Sequence, residues 1–443
     1  MNKKTGLILG LILSVAFFLR FWNLGIGDLV TDEAKTALGI AYPHSFVLPN
    51  LSVLSQSIFG VSEWAVRLPF ALMGIMTVWL WYLIGTKLKN QNFGLVLAGL
   101  AAVIPTNVIF SRSAYLDAPV ILVWLVALFF WVITEQESEQ TWGKFGLWFF
   151  LLLAPFIKLQ AVYLHVVLGL IILWQTRGKF WQDTRTWLIV ISVLPITGYV
   201  LGQPQQMYDI FAYFFQQSSG VKIDSSLSLF AGTVGFWLWP FLVLTMIGLW
   251  TPRKILFSSK NIFLPFLGVG LVALIFSILG TRQLYYLAMI DPLLVLGAGL
   301  GIWYLVEKWK YLTMVSSLII IGWSGFIIFS VSNITKNFCV QVQNGCYWQS
   351  ATTSEWIRKV QGEKDIVYYL DENLGYTPKW RLPFETKKLD SLPNLSEKRT
   401  NSLVLIVGRG SKVAKFAGLT NEVSGGVVKV LLIKAVDKIA PLN

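Results

Sequence analysis

The stretch "GLILGLILSVAFFLRFWNLGIGDLVTDEAKTA", residues 6–37, decides the class to which this protein belongs. Its first part, residues 6–24, is apolar and has the length of a bilayer-spanning helix, which needs about 20 residues. Two carboxylates, Asp32 and Glu33, and the cation Lys35 follow close behind it. The stretch therefore predicts a membrane span with a charged motif just beyond its end.

The composition extends this prediction to the whole chain. Hydrophobic residues make up 55% of the 443 residues and charged residues only 13%, and the mean hydropathy is +0.63. Soluble domains contain about 25% charged residues, so we expect a polytopic α-helical membrane protein. Eleven apolar runs are the candidate spans: residues 6–24, 64–86, 93–110, 117–133, 145–157, 160–174, 187–201, 230–250, 262–280, 285–306 and 312–331.

Lys158 separates the fifth and sixth runs, which are both short. A single interrupted helix is the alternative, and it would reverse the orientation of every later span. The basic residues favour two spans, because with the amino terminus inside they concentrate in the inner connections. The run "EQESEQ" at 135–140 is an exception, because it is acidic and falls in an inner connection, although acidic residues contribute little to orientation. The inner cations are Lys3, Lys4, Lys87, Lys89, Lys144, Arg177, Lys179, Arg185, Arg253, Lys254, Lys260, Lys308 and Lys310.

These cations also explain the net charge of +13, so we expect membrane lipids and no nucleic acid as partners. No small-residue cleavage site follows the first run, which predicts an uncleaved first span. The expected location is the cytoplasmic membrane, with the amino terminus inside and the carboxyl-terminal part outside. The transmembrane module comprises residues 1–331.

Residues 332–443 are expected to form a small extracytoplasmic α/β domain. The segments "DIVYYL", "SLVLIVG" and "GVVKVLLIKA" resemble strands, and "TTSEWIRKVQ" has the spacing of an amphipathic helix. Cys339 and Cys346 lie at the start of this part, where an oxidising exterior favours a disulfide between them. Two free thiols are the alternative.

Ionisable residues collect at the outer ends of several predicted helices. Charges of both signs near a membrane usually turn toward a cavity, so together they indicate one outward-facing polar site. For any single residue, ordinary anchoring at the interface is the alternative. The first outer loop, 25–63, carries the acidic motif, and the polar and aromatic loop at 202–229 is a candidate lid. The outer charges are Asp28, Asp32, Glu33, Lys35, Glu63, Arg67, Arg112, Asp117, Lys158 and Arg282.

The residue types indicate how such a site would work. A carboxylate at a helix end can take a proton from an acceptor hydroxyl or amine, a role open to Asp32 and to Glu33. Adjacent helical residues point about 100° apart, so the two are expected to have different tasks. Groups suited to binding a phosphate are Lys35, Lys158, Arg282, Tyr285 and Tyr286.

Several residues have less direct roles in this interpretation. Arg112 and Asp117, in "SRSAYLD", predict an internal ion pair or a loop clamp rather than reactants. For the two tyrosines, interfacial anchoring is the alternative. The only histidines, His44 and His165, do not form part of a metal-ligand cluster, and no glycine-rich phosphate loop occurs. We therefore predict no metal site and no required cofactor; a divalent ion is conceivable but has no support in the sequence.

The stretch from the first span to about residue 175 resembles the GT-C glycosyltransferases that use polyprenyl-phosphate sugars. The resemblance is to glycosyltransferase family 39, of the protein O-mannosyltransferase and aminoarabinose transferase type. It rests on the order of "TDEAKTA" at 31–37, "GVSEWAVRLPFALMGIMTVWLWYLIGTKL" at 60–88 and "SRSAYLDAPVILVWLVAL" at 111–128. The later "TRQLYYLAMIDPLLVLGAGL", 281–300, is similar to the family's basic-tyrosine-proline approach to a late span.

The resemblance implies a GT-C fold, with Asp32 as catalytic base and Glu33 in support. It also implies that Lys35 meets the lipid phosphate, since it stands where aminoarabinose transferases have an arginine in that role. Lys158 matches the lysine that usually follows the family's fifth span, although the common "TKG" reads "IKL" here. A second departure matters more: family members often carry a "PPL" motif preceded by a basic residue, whereas this chain has "FVLPNLSVLSQSIFG" at 46–60.

The implied reaction is inverting transfer of a hexose or pentose from a polyprenyl-phosphate donor to a lipid, glycan or protein acceptor at the outer face of the membrane. A polymerase or ligase for lipid-linked glycans is the nearer alternative. A secondary transporter is the other, and it is less favoured because its ionisable groups would lie near the bilayer midplane.

Overall fold

The computed structural model describes residues 2–25, 29, 31–39, 49–136, 141–202, 223–250, 262–279 and 284–331, and five strands within 367–433. The first helices are α1 (Lys3–Phe21), α2 (Thr31–Ala37), α3 (Pro49–Phe59), α4 (Glu63–Leu88), α5 (Gln91–Val103), α6 (Pro105–Ser111), α7 (Asp117–Gln136) and α8 (Thr141–Ile157). Short 3₁₀ helices, Leu159–Val162 and Phe180–Gln182, precede α9 (Tyr163–Thr176) and α10 (Thr184–Leu201). The last helices are α11 (Ile223–Trp250), α12 (Leu264–Leu279), a 3₁₀ helix (Leu284–Ile290), α13 (Asp291–Lys308) and α14 (Lys310–Val331).

Several helices of the described chain have the length and composition of membrane spans. Six segments qualify, namely α1, α4, α7, α9 with its 3₁₀ turn, the span Leu287–Lys308 that contains α13, and Tyr311–Phe329 of α14. A seventh is possible if α5 and α6, which meet at 57°, cross together. The prediction of a multi-pass helical protein is thereby confirmed. Every predicted apolar run falls on a helix or helix pair, and the count of eleven spans stays a prediction.

Ion pairs show that α8 and α9 run in opposite directions between the two ends of the bundle. Lys158, after α8, binds Asp117 at the start of α7, with 2.8 Å between Nζ and Oδ1. Arg185, at the start of α10, pairs with Glu135 at the far end of α7. The chain thus reaches one end at residue 158 and is back at the other by residue 185. A single interrupted helix, which would place residues 135 and 185 at opposite ends, does not fit these contacts.

The last helix returns the chain to the end that holds Lys158. Ile328, close to the end of α14, packs with Leu19 of α1 and Val108 of α6. At the same end of α1, the guanidinium of Arg112 donates to the backbone oxygen of Leu19 over 2.9 Å. α14 therefore ends at this end of the bundle, which we call the Lys158 end.

The described part of residues 332–443 is a sheet of five strands in the order β2-β1-β3-β5-β4. The strands are β1 (Val367–Leu370), β2 (Thr386–Lys388), β3 (Leu403–Gly408), β4 (Glu422–Gly425) and β5 (Val428–Ile433). β1 is parallel to β2 and β3, whereas β5 is antiparallel to β3 and β4. The three predicted strands correspond to β1, β3 and β5. The predicted helix "TTSEWIRKVQ" and the disulfide candidates Cys339 and Cys346 lie outside the described residues.

Glycines allow α4 and α5 to pack with their backbones in contact. A Cβ atom on Gly94 would lie 2.5 Å from the backbone oxygen of Tyr82, and one on Gly85 would lie 2.6 Å from the Cα of Gly94. Small residues at such interfaces let membrane helices approach closely.

We expect Gly94→Ala to lower the stability of the protein by about 1–3 kcal/mol, because the new methyl group meets backbone that cannot give way. Gly99→Ala is the matched control, since Gly99 lies on the same helix and has no atom within 4 Å of the added carbon. Thermal unfolding of both variants in detergent measures the difference. Equal melting temperatures would contradict this account of the α4–α5 contact.

Candidate active site

Glu33 joins α2, the helix of the acidic motif, to two other parts of the Lys158 end. Its side chain is fully buried, and Oε1 and Oε2 accept hydrogen bonds from Nε and Nη2 of Arg67 over 2.9 and 3.0 Å. The backbone N–H of Ala114 also donates to Oε1, over 2.9 Å. Such bidentate, charge-assisted contacts are strong and directional. Glu33 thus holds α2 against α4 and against the loop that follows α6.

Further hydrogen bonds fix α2 along its length. The hydroxyl of Thr36 donates to the backbone oxygen of Ala114 over 3.2 Å. The amide of Gln56, on α3, donates to the backbone oxygen of Ala37 at the end of α2 over 2.8 Å. Arg67 also donates to the backbone oxygen of Leu24 over 3.1 Å, which holds the turn after α1. The position of the motif is therefore set by α1, α3, α4 and the loop after α6.

Arg112 is a clamp on the end of α1. Its Nη1 and Nη2 donate to the backbone oxygens of Leu19 and Trp22 over 2.9 and 2.7 Å, so it satisfies carbonyls that a helix end leaves without partners. Burial, with the nearby charges of Arg67 and Arg20, lowers the pKa of Arg112 to about 9. Of the two predicted roles, these contacts support the loop clamp.

Lys158 and Asp117 form a buried ion pair at the same end. Their side chains are 2% and 1% exposed, and the carboxylate stands at the first residue of α7, where the helix dipole favours a negative charge. The backbone of Lys158 is extended between α8 and the following 3₁₀ helix, so the side chain projects from a break in the helix. The pair joins the α8–α9 connection to the start of α7.

The Lys158 end brings together most of the predicted site residues that the structure describes. Asp32 is the second residue of α2, directly before Glu33, and Lys35 lies half-buried in the same helix. Tyr285 and Tyr286 belong to the 3₁₀ helix that precedes α13, while Asp28, Arg282 and residues 203–222 of the candidate lid lie outside the described residues. Within the described ranges, no three His, Cys, Asp or Glu side chains cluster as metal ligands would.

The sequence interpretation missed two features of this end. The sequence places Arg67 among the outer charges but does not predict its pairing with Glu33. Arg20 lies within an apolar run, and an arginine within a membrane span is costly, which is itself a signal of a buried partner.

The fold matches solved glycosyltransferases. ArnT from Cupriavidus metallidurans bound to undecaprenyl phosphate is similar over 99% of this chain and 100% of its own, with a TM-score of 0.70 and 12% identity. The oligosaccharyltransferase AglB from Archaeoglobus fulgidus, in complex with an inhibitory peptide and a dolichol-phosphate, has a TM-score of 0.56 and 9% identity over 91% of this chain and 69% of its own. The mycobacterial arabinofuranosyltransferase AftD has a TM-score of 0.51 and 12% identity over 99% of this chain and 42% of its own.

These matches define the class of fold: the protein is a multi-pass membrane protein with the GT-C fold of these glycosyltransferases, as the sequence predicted. Within this class, residues 43–201 match the family of dolichyl-phosphate-mannose-protein mannosyltransferases. The matched segment contains Arg67, Arg112, Asp117 and Lys158. A comparison of the sequence with curated proteins gave no match.

Proposed function

We propose that the protein transfers a sugar, with inversion, from a polyprenyl-phosphate donor to an acceptor bound at the Lys158 end. The carrying observation is the buried Glu33–Arg67 pair with its third contact at Ala114, which fixes α2 at the end of the bundle that also holds the buried Lys158–Asp117 pair. The lipid phosphates named for the ArnT and AglB complexes support this class of donor.

The contacts of Glu33 support Asp32 as the base. Glu33 is fully buried and both its oxygens accept hydrogen bonds from Arg67, so it has no access to a substrate. Asp32 is therefore the carboxylate of the motif that we assign to chemistry. It takes the proton of the acceptor hydroxyl or amine as that group attacks the anomeric carbon.

The leaving group needs positive charge more than it needs an acid. The bond between the anomeric carbon and the phosphate oxygen breaks as the new bond forms on the opposite face, and polyprenyl phosphate departs as an anion. Fixed cations that face this developing charge lower the barrier, because they need no rearrangement during the reaction. We assign this role to Lys35, Lys158 and Arg282, with Tyr285 and Tyr286 as hydroxyl donors. Lys158 is buried and paired with Asp117, so its part in this role is to contribute positive charge from within the protein rather than to contact the phosphate.

We further propose that the Lys158 end faces outward. The opposite end holds the contacts of Lys89 with Glu307 and of Arg185 with Glu135, where the sequence places inner-loop cations. Residues 332–443 then form an outer α/β domain, since α14 ends at the Lys158 end.

The purified protein, incubated with a panel of polyprenyl-phosphate sugars and with lipid, glycan or peptide acceptors, tests the proposed function. We expect released polyprenyl phosphate from at least one donor, and an unchanged rate when a chelator removes divalent ions. The acceptor that is modified distinguishes transfer to protein or lipid from polymerisation of a lipid-linked glycan. A folded protein that releases nothing from any donor would overturn the proposal.

Arg282→Gln is expected to weaken donor binding about tenfold or more, because a charge-assisted hydrogen bond contributes about 1.5–3 kcal/mol. This variant is a cleaner test than Lys158→Ala, which would leave Asp117 buried without its cation. Binding of radiolabelled polyprenyl phosphate measures the effect directly. Arg177→Gln, which removes an exposed charge at the opposite end, is the control. Equal affinities in the two variants would remove Arg282 from the donor site.

A further inference from the structure

Arg20 places a charged side chain inside the bundle, on the first membrane-spanning helix. It is 0% exposed and makes four hydrogen bonds. Nη1 donates to the backbone oxygens of Ala16 and Ala102 over 3.2 Å, and Nη2 donates to the backbone oxygen of Ala101 over 3.2 Å and to Oδ1 of Asn107 over 2.7 Å. A charge in this setting is costly and marks a specific task.

The break between α5 and α6 explains the role of Arg20. Pro105 has no backbone N–H, so the carbonyl of Ala101 loses the partner that a continuous helix would provide. The two helices meet there at 57°, so the carbonyl of Ala102, close to the end of α5, also lies at the break. Arg20 donates to both carbonyls. Carbonyls at a break in a membrane helix need hydrogen-bond donors, because lipid offers none. Arg20 supplies these donors and thereby stabilises the bend.

The same group of side chains reaches α13. Thr106, the second residue of α6, donates its hydroxyl hydrogen to Oδ1 of Asp291 over 2.5 Å. Asp291 is the first residue of α13 and is 1% exposed. Asn107 lies beside the same carboxylate, and the charge of Arg20 acts on it. These four residues, Arg20, Thr106, Asn107 and Asp291, form what we call the bend network.

Gly74 allows α4 to pack closely against Arg20 of the bend network and against α6. A Cβ atom at this position would lie 2.7 Å from Nε of Arg20 and 2.6 Å from Cβ of Ser111 on α6. A glycine within a helix is less favourable than alanine. Its presence here fits the need for α4 to pack directly on the arginine.

The bend network lies between the two halves of the proposed site. On one side α6 runs into Arg112 and Ala114, which hold the end of α1 and the carboxylate of Glu33. On the other side Asp291 directly follows the 3₁₀ helix Leu284–Ile290, which contains the tyrosines assigned to the donor. A change in the bend would therefore move the base and the donor segment relative to each other.

We propose that the bend network is a positioning device for sugar transfer, which sets the distance between the α2 motif and the donor segment before α13. This inference rests on the proposed function. Its residues are positioning residues, since they act through Ala114 and the Leu284–Ile290 segment and do not touch substrate. Displacement by about 1 Å can cost about 100-fold in rate, so loss of the network should lower kcat/KM strongly.

Thr106→Val and Thr106→Ser separate positioning from general stability. Valine keeps the shape and removes the hydroxyl that binds Asp291, whereas serine keeps the hydroxyl and loses only a methyl group. We expect kcat/KM for the lipid donor to fall about 100-fold in Thr106→Val and to stay within about threefold in Thr106→Ser. Hydrogen exchange of residues 284–290 should accelerate at least about tenfold in the valine variant alone.

Thr77→Val is the matched control, because Thr77 is also buried and its hydroxyl donates only to Met73 within its own helix. It should leave kcat/KM and the exchange of residues 284–290 unchanged. The inference is overturned if the wild type transfers sugar normally and Thr106→Val matches Thr77→Val in kcat/KM and hydrogen exchange. It is also overturned if Thr106→Val matches Thr106→Ser in these measurements. Either result leaves the proposed function intact. A wild-type protein that releases polyprenyl phosphate from no donor defeats the proposed function, and this inference with it.

Discussion

Asp32→Asn is expected to abolish sugar transfer while the protein remains folded. The substitution keeps the size of the side chain and removes its ability to accept a proton, which in enzymes with a positioned base costs about 100- to 10,000-fold in rate. Asp32 lies in α2, whose position is fixed by Glu33, Thr36 and the contact of Gln56 with Ala37, so the helix itself should not change. Initial rates of polyprenyl phosphate release measure the effect.

Two further measurements make the result specific. Binding of polyprenyl phosphate and the melting temperature in detergent should match those of the wild type, because the proposed base contributes to neither. Glu307→Gln is the control, since it makes the same kind of change on an exposed carboxylate at the opposite end. An Asp32→Asn variant that transfers sugar at the normal rate would refute the assignment of the base.

Glu33→Gln is expected to lower stability by about 3–5 kcal/mol, because it leaves the guanidinium of Arg67 buried beside a neutral group. Thermal and denaturant unfolding in detergent measure this loss, and activity should fall in proportion to the folded fraction. The same control, Glu307→Gln, breaks an exposed pair with Lys89 and should cost at most about 1 kcal/mol. The contrast separates a buried ion pair from a surface one.

A double variant tests the pairing itself. Glu33→Leu with Arg67→Met removes both charges, and replacing a buried pair by apolar groups is often nearly neutral. Its destabilisation should therefore be smaller than the sum of the two single changes, although the N–H of Ala114 loses its acceptor. Strict additivity would mean that the two side chains do not depend on each other.

The sequence predicted the helices more completely than the contacts between them. Apolar runs locate spans because a bilayer demands length and hydrophobicity, and both are local properties of the chain. The partner of Glu33 is 34 positions away, and its third contact, Ala114, is 81 positions away. Nothing local specifies these distances, since they depend on how α2, α4 and α6 pack.

Some residues have several roles that the sequence leaves open, because their contacts depend on the packing of other helices. For Arg112 the sequence leaves an ion pair and a clamp open, and its contacts with the end of α1 depend on how the helices pack. Lys158 breaks an apolar region of the sequence, and its ion pair with Asp117 explains why a lysine is tolerated there. Arg20 has a local signal, a charge within a span, but three of its partners, Ala101, Ala102 and Asn107, lie at the break between two other helices.

The short length of α2 has a consequence for biogenesis. A seven-residue helix is too short to be stable alone, so α2 needs the contacts of Glu33 with Arg67 and Ala114 to form. The motif leaves the ribosome soon after the first span, yet its last anchor follows about 80 residues later. A nascent chain that ends before Ala114 is therefore inserted without an ordered motif. The helix that carries the proposed base therefore becomes ordered only after α6 has joined the bundle, so we expect incomplete chains to be inactive toward the proposed donor.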